Sequence, residues 1–150
     1  DGGVGSFSHE YGHALDFFAG TFIEKTNSFQ LSGGDSVNPK PNEGTYSKTS
    51  LRGLMDTLLN KIIWKSKNVY SDYYKKLITP MPAEYYVRRN EIFARAFEVY
   101  IHYKLNKHKH KNIFLSKVKY ASPRNYLTLP EMKKIEKDFD ALINAIKKHL

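Results

Sequence analysis

Four segments of the chain carry apolar residues at the three- and four-residue spacing of an amphipathic helix. The first covers residues 7–22, where Ser6 or Ser8 could serve as the N-cap and Gly20 suits the C-terminal end. The second runs from Ser50 to about Trp64, with most of its leucines and isoleucines on one stripe. Both segments are therefore predicted to be helices with one buried face.

The other two helical segments lie in the second half of the chain. Asn90 is expected to cap a helix that reaches about Leu105, and Asn106 is expected to stop it. The last helix begins at a capping box formed by Thr128 and Glu131. Its apolar stripe consists of Met132, Ile135, Phe139, Leu142, Ile143 and Ile146.

The segments between these helices are irregular. Residues 26–48 are polar and rich in glycine and proline, which predicts a long loop. Residues 69–77 form a short helical or irregular stretch, and Pro80 and Pro82 break the chain after it. No segment shows convincing strand alternation. The pattern predicts a mainly α fold, with residues 1–150 as one domain that is N-terminally incomplete.

Composition narrows the classes of function. The 150 residues include no cysteine, which excludes disulfides, thiol catalysis and cysteine-based zinc sites. No apolar run approaches the roughly 18 residues that a membrane span needs. The formal charge is +9, and residues 76–150 account for all of it with sixteen basic and seven acidic side chains.

The densest basic stretch runs from Lys104 to Lys119 and includes His108 and His110. A solvated cationic loop is the simpler interpretation of this segment. The alternative is a weak, non-specific nucleic-acid contact through residues 104–119, because lysine supplies point charges suited to phosphate. His108 and His110 are expected to form a hydrated surface patch.

The motif that suggests chemistry is His9-Glu10-Tyr11-Gly12-His13, an H-E-x-x-H sequence. On a helix, His9 and His13 point the same way and can share one Zn²⁺ ion. Glu10 can then act as the general base on a zinc-activated water. The alternative is a helix with two partly buried structural histidines. Asp16 lies on the same face and is expected to accept the free N–H of a ligating histidine, unless it is an ordinary surface carboxylate.

A tetrahedral zinc with two histidines and one water needs one more protein ligand. His102, His108, His110 and His149 are available, as are several carboxylates. The segment from residue 90 to 98 places Glu91 and Glu98 on one face of an apolar helix, where unpaired carboxylates are unfavourable. Arg95 lies four residues after Glu91 and could pair with it instead.

The sequences His-Glu-Tyr-Gly-His-Ala-Leu-Asp and Asn-Glu-Ile-Phe-Ala-Arg-Ala-Phe-Glu together resemble the zincin superfamily with a glutamate third ligand. They are most similar to the large polyvalent protein-associated domain of phages and mobile elements. A similar pair of motifs occurs in the catalytic domain of anthrax lethal factor, a zinc endopeptidase. The resemblance covers about residues 2–18 and 85–100. It implies the helical part of a zincin-like fold, with the usual upstream sheet absent or outside this chain.

The resemblance implies a role for each matching residue. His9, His13 and Glu91 match the metal ligands, and Glu10 matches the general base. In lethal-factor-type enzymes a tyrosine seven residues before the glutamate ligand stabilises the oxyanion. Here Glu84 occupies that position, so Tyr85 is the candidate and Tyr86 the alternative. Glu98, like Asp16, is expected to support a ligand rather than bind the metal.

The expected function is therefore that of a zinc metallopeptidase acting on a peptide or protein substrate. The alternative is a binding module of a phage or mobile-element protein, in which zinc is structural or vestigial and the basic half contacts nucleic acid or an acidic partner. The expected location is the cytoplasm of a host cell or a phage particle, with a secreted toxin-like protein as the alternative.

Overall fold

The computed structural model describes residues 6–40, 46–79, 84–116 and 123–150, and these residues are mainly helical. The prediction of a mainly α fold is confirmed. The α-helices are α1 (Phe7–Phe18), α2 (Leu51–Ile63), α3 (Asp72–Ile78), α4 (Glu84–Val87), α5 (Arg89–Lys107) and α6 (Leu129–Lys147). The other regular elements are a π-helical turn (Ala19–Ile23), two short strands, β1 (Trp64–Ser66) and β2 (Val69–Tyr70), and a 3₁₀ turn (Pro123–Asn125).

Helix α5 is the central element, because α1 packs on one side of it and α6 on another. Phe93 of α5 stacks on Phe139 of α6 with ring centroids 6.1 Å apart, and Tyr100 stacks on the same ring at 4.7 Å. Helix α2 lies against α6 and contributes Met55, Leu58 and other fully buried side chains. The resulting core holds α5 in place, and every residue of this helix from Arg89 to Tyr100 is buried.

The first predicted helix is shorter than expected. Regular α-helix ends at Phe18, and a π-helical turn follows. Gly20 does not end the helix but lies inside this turn, where a Cβ atom would come within 2.5 Å of the Leu31 backbone. The Leu31 N–H also donates to the carbonyl of Asp16. The loop backbone therefore packs against this end of α1, a tertiary contact that the helical pattern could not reveal. The side chains of Ser6 and Ser8 make no capping bond: Ser6 occupies the N-cap without one, and Ser8 is buried inside the helix.

The predicted second and last helices agree with the structure. Ser50 caps α2 by accepting a hydrogen bond from the Gly53 N–H. Thr128 and Glu131 form both bonds of the predicted capping box at the start of α6. The described residues of the predicted loop at 26–48 contain no helix or strand.

The sequence offered no convincing strand, yet β1 and β2 form a small antiparallel hairpin. Asn68 occupies the left-handed region at φ 59° in its turn, a conformation that asparagine tolerates better than most residues. The strands have two and three residues, too few for alternation to appear in the sequence. Residues 72–78 then form α3, with Ser71 as its cap.

The predicted ends of α5 need correction. Arg88 occupies the N-cap, and the helix continues past Asn106 to Lys107. Asn90 lies in the first turn and donates its amide to the Asp35 carboxylate at 3.0 Å. Asn90 therefore ties the long loop to α5 rather than capping the helix.

The basic segment is only partly a solvated loop. Lys104 and Lys107 belong to α5 and form ion pairs with Glu136 of α6 at 2.8 and 2.9 Å. His108 and His110 are exposed, as expected. Lys117 and Lys119 lie outside the described residues. Two of the lysines predicted to be solvated are therefore neutralised by acidic groups on the neighbouring helix.

Candidate metal centre

The candidate site lies where α1 crosses α5. Gly12 makes the close approach possible, because a Cβ atom there would come within 3.2 Å of the Ala94 Cα atom and 3.3 Å of the Phe97 side chain. Its neighbours Ser8 and Asp16, one turn away on either side, are also buried. This contact turns His9 and His13 toward the N-terminal half of α5. The outer side of α1 is exposed, with Phe7 and Phe17 each about half accessible, so α1 buries only the face that packs against α5.

The structure brings His9, His13 and Glu91 together although Glu91 is 78 residues further along the chain. The Nε2 atoms of the two histidines are 3.2 Å apart. Glu91 Oε1 lies 3.2 Å from His13 Nε2, and Glu91 Oε2 lies 3.6 Å from His9 Nε2. Each side chain thus offers one possible ligand atom, and these three atoms lie within 4.8 Å of one another.

These distances fit a tetrahedral zinc ion. Ligand atoms bound at about 2.1 Å in tetrahedral geometry lie about 3.4 Å from one another. The closest contacts of the three side chains, 3.2 to 3.6 Å, are near that value, and the two contacts of Glu91 use different carboxylate oxygens. Imidazole nitrogen and carboxylate oxygen are also donors that zinc accepts. The residues present therefore suit a metal ion at this position.

The pKa values of the three residues are shifted in different directions and by different causes. Burial lowers the pKa of His9, and His13 lowers it further, so the neutral form that can bind a metal is favoured. The hydrogen bond to Glu91 raises the pKa of His13. Burial by itself raises the pKa of Glu91, but the contacts with His13, Tyr85 and His9 outweigh it and lower the pKa. Glu91 is therefore held as a carboxylate, the form that binds a cation.

The predicted pairing of Arg95 with Glu91 is also present. Arg95 Nη1 lies 3.5 Å from Glu91 Oε2, and both side chains are more than nine-tenths buried. The guanidinium packs over the Tyr86 ring at 5.2 Å and donates to the Tyr86 carbonyl. Arg95 thus orients Glu91 while leaving both of its oxygens within reach of the histidines, so the salt bridge and the cluster coexist.

Glu98 supports His9 from the core side. Its Oε2 atom lies 3.9 Å from His9 Nδ1, and the residue is 1% exposed. A carboxylate on the Nδ1 side favours the tautomer in which Nε2 carries a lone pair. Glu98 also contributes, after burial, to raising the pKa of Tyr126 to about 12. The Glu98 carboxylate therefore interacts with His9 on one side and with Tyr126 on the other.

Asp16 does not make the contact that was expected of it. Its two oxygens accept hydrogen bonds from the Ser32 N–H at 2.7 Å and the Ser32 hydroxyl at 2.6 Å. Burial raises the pKa of Asp16, and these bonds oppose the rise. Its contact with the site is limited to an electrostatic influence on His13. Asp16 anchors the long loop to α1, and Glu98 takes the position beside a histidine N–H.

Glu10 and Tyr85 lie at the open side of the cluster. Glu10 is exposed and close enough to influence the charge of both histidines. Tyr85 is 51% exposed, and burial followed by hydrogen bonding to Glu91 raises its pKa. The neighbouring Tyr86 packs against Arg95 instead. Of the two candidate tyrosines, Tyr85 is therefore the one beside the predicted ligand.

The remaining histidines lie away from the cluster. His102 contacts Ser116 and Asn106 at 3.1 Å in the C-terminal half of α5. His108, His110 and His149 are exposed. Sequence reasoning missed Ser32, which joins Asp16 to Arg89 by accepting a 2.6 Å hydrogen bond from Arg89 Nε at its carbonyl. No local pattern marks Ser32, because its partners are 16 and 57 residues away.

Comparison with known proteins supports one part of the resemblance. Residues 81–150, a little under half of the chain, match the model of the family described as large polyvalent protein-associated domain 1. The match includes Tyr85, Glu91 and Glu98 and excludes the H-E-x-x-H segment. No curated protein and no solved structure matches the chain. None of the helices in the described ranges has the length and apolar character needed to cross a bilayer.

Proposed function

We propose that this chain is a zinc-dependent peptidase in which His9, His13 and Glu91 bind the metal. The observation that carries the proposal is the cluster of these three side chains, whose closest contacts are 3.2 to 3.6 Å and whose possible ligand atoms all lie within 4.8 Å of one another. Two further features support it. The motif residue Glu10 lies at the same open edge as Tyr85, and the second motif falls within the segment that resembles a polyvalent-protein domain. A phage or mobile-element protein is the setting this resemblance favours.

When bound, zinc supplies a Lewis acid that lowers the pKa of a coordinated water toward about 7. The chain itself supplies the groups that position and transfer protons. Glu10 is next to His9 in sequence but diverges from it by about 100° around the helix axis, so it can accept a proton without replacing a ligand. Its exposure leaves its carboxylate open to an incoming substrate.

Tyr85 supplies a donor for the charge that develops on a substrate carbonyl oxygen. Its raised pKa keeps the phenol protonated at neutral pH, as a hydrogen-bond donor requires. Glu98 and Arg95 do not face the substrate. They fix the positions of His9 and Glu91, and a preformed ligand set lowers the reorganisation that metal binding requires.

The proposal is tested by separating ligands from the base. Glu91→Ala and His13→Ala each remove one of three protein ligands, so both should lose most bound zinc in elemental analysis and lose the rise in melting temperature that zinc produces. Glu10→Gln keeps the shape of the side chain but cannot accept a proton. It should retain zinc and stability while losing peptide cleavage, measured by mass spectrometry on a defined peptide mixture.

Each variant has an outcome that contradicts the proposal. Zinc loss in Glu10→Gln equal to that in Glu91→Ala would mean that the two roles are misassigned. Full zinc retention in Glu91→Ala would make another carboxylate the third ligand. Absence of zinc from the unsubstituted protein, after purification and after incubation with zinc, would overturn the metal centre itself. Zinc binding without cleavage would support the alternative, a structural metal in a binding module.

The predicted nucleic-acid contact through residues 104–119 remains a separate expectation. Lys104 and Lys107 are paired with Glu136, which reduces the positive charge available to phosphate. Replacing Lys107, Lys109 and Lys111 by glutamine should therefore leave nucleic-acid affinity almost unchanged. A clear loss of affinity at physiological salt, with a flatter salt dependence, would instead identify a phosphate-binding surface.

A further inference from the structure

A second group of charged side chains lies apart from the metal centre, in a cleft of about 260 Å³. The cleft is formed by the long loop, the first turn of α2 and the start of α5. We call it the anion cleft and define it by six of its lining residues: Gly33, Ser36, Asn38, Lys40, Arg52 and Arg89. The three basic side chains come from three different segments, so their convergence is a product of the fold.

Arg89 is the most unusual member of the cleft, because this charged residue is only 2% exposed. Its Nε donates to the Ser32 carbonyl at 2.6 Å, and its Nη2 donates to Asp56 at 2.8 Å. Its Nη1 is buried and has no hydrogen-bond partner among the described residues. Leaving a buried charged donor unpaired is unfavourable, so a partner for this atom is expected.

The carboxylate of Asp56 is shared between two guanidinium groups. Arg52 Nε lies 3.1 Å from both of its oxygens, and Arg89 takes Oδ1 as well. Lys40 adds a third positive charge at the rim, where it donates to the Asn68 amide oxygen. The Glu24 carboxylate accepts a bond from the Arg52 backbone N–H at 3.3 Å but does not line the cleft. Three cations therefore line the cleft, and the carboxylate that pairs with two of them carries a single charge.

The floor of the cleft is kept open by Gly33. Its φ of 99° lies in the region that favours glycine, and a Cβ atom there would come within 3.3 Å of Arg52 Nη2 and Arg89 Nε. The backbone N–H groups at the start of α5 are already used, since Arg89 donates to Ser36 and Asn90 to Gly34. Binding would therefore depend on side chains, including the Ser36 hydroxyl and the Asn38 amide at the rim.

We propose that the anion cleft binds a phosphate group, as the free ion or as a small phosphate monoester. The three cations exceed the negative charge of Asp56 and of Asp16, which acts on Arg89 from further away. They converge on the cleft from three segments, which suits a tetrahedral dianion. Arginine is also the side chain best matched to phosphate geometry. The cleft is too small for a large ligand, so the recognised part is the phosphoryl group itself.

The test is isothermal titration of the protein with sodium phosphate at constant ionic strength. A chelator is present throughout, so that the result does not depend on the proposed metal centre. Saturable binding with Kd of about 1 mM or tighter is expected. Arg52→Gln should weaken it about tenfold, because a charge-assisted bond is lost. Circular dichroism checks that this variant is folded.

Lys40→Gln provides a second variant at an exposed position, where substitution leaves the core untouched. It should weaken phosphate binding severalfold, whereas the matched change Lys137→Gln on the exposed face of α6 should leave it unchanged. If the two lysine variants weakened phosphate binding equally, the effect would come from the net charge of the protein and not from the cleft, and the proposal would be overturned.

The ligand chemistry is tested with other anions under the same conditions. Methyl phosphate should bind as well as inorganic phosphate if the natural ligand is a monoester, and more weakly if it is the free ion. Acetate should give no saturable signal. Acetate binding as tight as phosphate, or no saturable binding of either phosphate, would overturn the proposal.

Discussion

Helices α5 and α6 both have 19 residues, yet they bury different kinds of side chain. The buried residues of α6 are all apolar and recur every three or four positions: Met132, Ile135, Phe139, Leu142 and Ile146. In α5, by contrast, every residue from Arg89 to Tyr100 is buried. Four charged side chains are among them, namely Arg89, Glu91, Arg95 and Glu98.

This difference separates a helix that stabilises the fold from one that also carries a site. Burial of a charge is unfavourable unless it is paired, so selection for stability alone favours the pattern of α6. Each buried charge of α5 has a specific contact: Glu91 and Glu98 face the histidines of α1, Arg95 pairs with Glu91, and Arg89 faces the anion cleft. The charges of α5 thus mark the parts of its surface that we propose to be functional.

The largest effect is expected from Phe139→Ala in α6. The ring is fully buried and stacks on Phe93 and Tyr100, so its removal should lower the free energy of unfolding by about 3–5 kcal/mol. Chemical denaturation measures this loss directly. Zinc stoichiometry of the folded protein should not change, because the ring lies on the side of α5 away from α1. Loss of zinc binding by folded Phe139→Ala would remove the distinction between the two helices.

Glu98→Gln in α5 should weaken zinc binding and leave stability almost unchanged, the reverse of the effect expected for Phe139→Ala. Removing the carboxylate beside His9, a proposed metal ligand, is expected to weaken zinc affinity about 10–100-fold. Stability without zinc should change little, because the substitution also removes the cost of a buried charge. Competition with a chromogenic chelator gives the affinity, and thermal unfolding in chelator gives the stability. A stability loss as large as that of Phe139→Ala, with zinc affinity unchanged, would make Glu98 a purely structural residue.

A smaller effect is expected at the start of α6. Thr128→Ala removes the side chain that accepts a bond from the Glu131 N–H, and loss of an N-cap costs about 1 kcal/mol. The melting temperature should fall by about 2–4 °C for a domain of this size. Thr128→Ser retains the hydroxyl and serves as the control. An equal loss in the serine variant would attribute the effect to the methyl group.

The smallest effect is expected at the ion pairs that join α5 to α6. Hydrogen bonds from Lys104 and Lys107 lower the pKa of Glu136 to about 2. A carboxylate with a lowered pKa contributes stability above its unfolded pKa of about 4.5, and that contribution is lost as the pH falls toward 2. Glu136→Gln should therefore lower the melting temperature by about 2 °C at pH 7 and by progressively less below pH 4.5. A difference that does not depend on pH would exclude the ionic explanation.

The parts of the fold that could be predicted are those governed by local contacts. The bounds of α2 and α6 follow from an apolar stripe and a capping residue within the helix itself. The hairpin at Trp64–Tyr70 escaped prediction because its strands are shorter than a readable alternation. The early end of α1 also escaped, since it depends on the Leu31 backbone packing at Gly20.

The candidate site also combines features that local sequence predicts with features that depend on tertiary contacts. The spacing of His9 and His13 already implies a shared direction, because four residues are close to one helical turn. The proximity of Glu91 was expected from a resemblance, and its geometry comes from the α1–α5 crossing. The contact between Asp16 and Ser32 contradicted a reasonable expectation based on helical faces, because the loop supplied a closer donor.

The sequence by itself determined the mainly α composition, two capped amphipathic helices and a pair of histidines one turn apart, because all of these depend on residues within a few positions of each other. Tertiary structure alone decided which carboxylate faces each histidine and which arginines converge on one cleft. Those arrangements join residues from distant parts of the chain, and their geometry exists only once Gly12 and Gly33 have allowed backbone and side chains to approach closely.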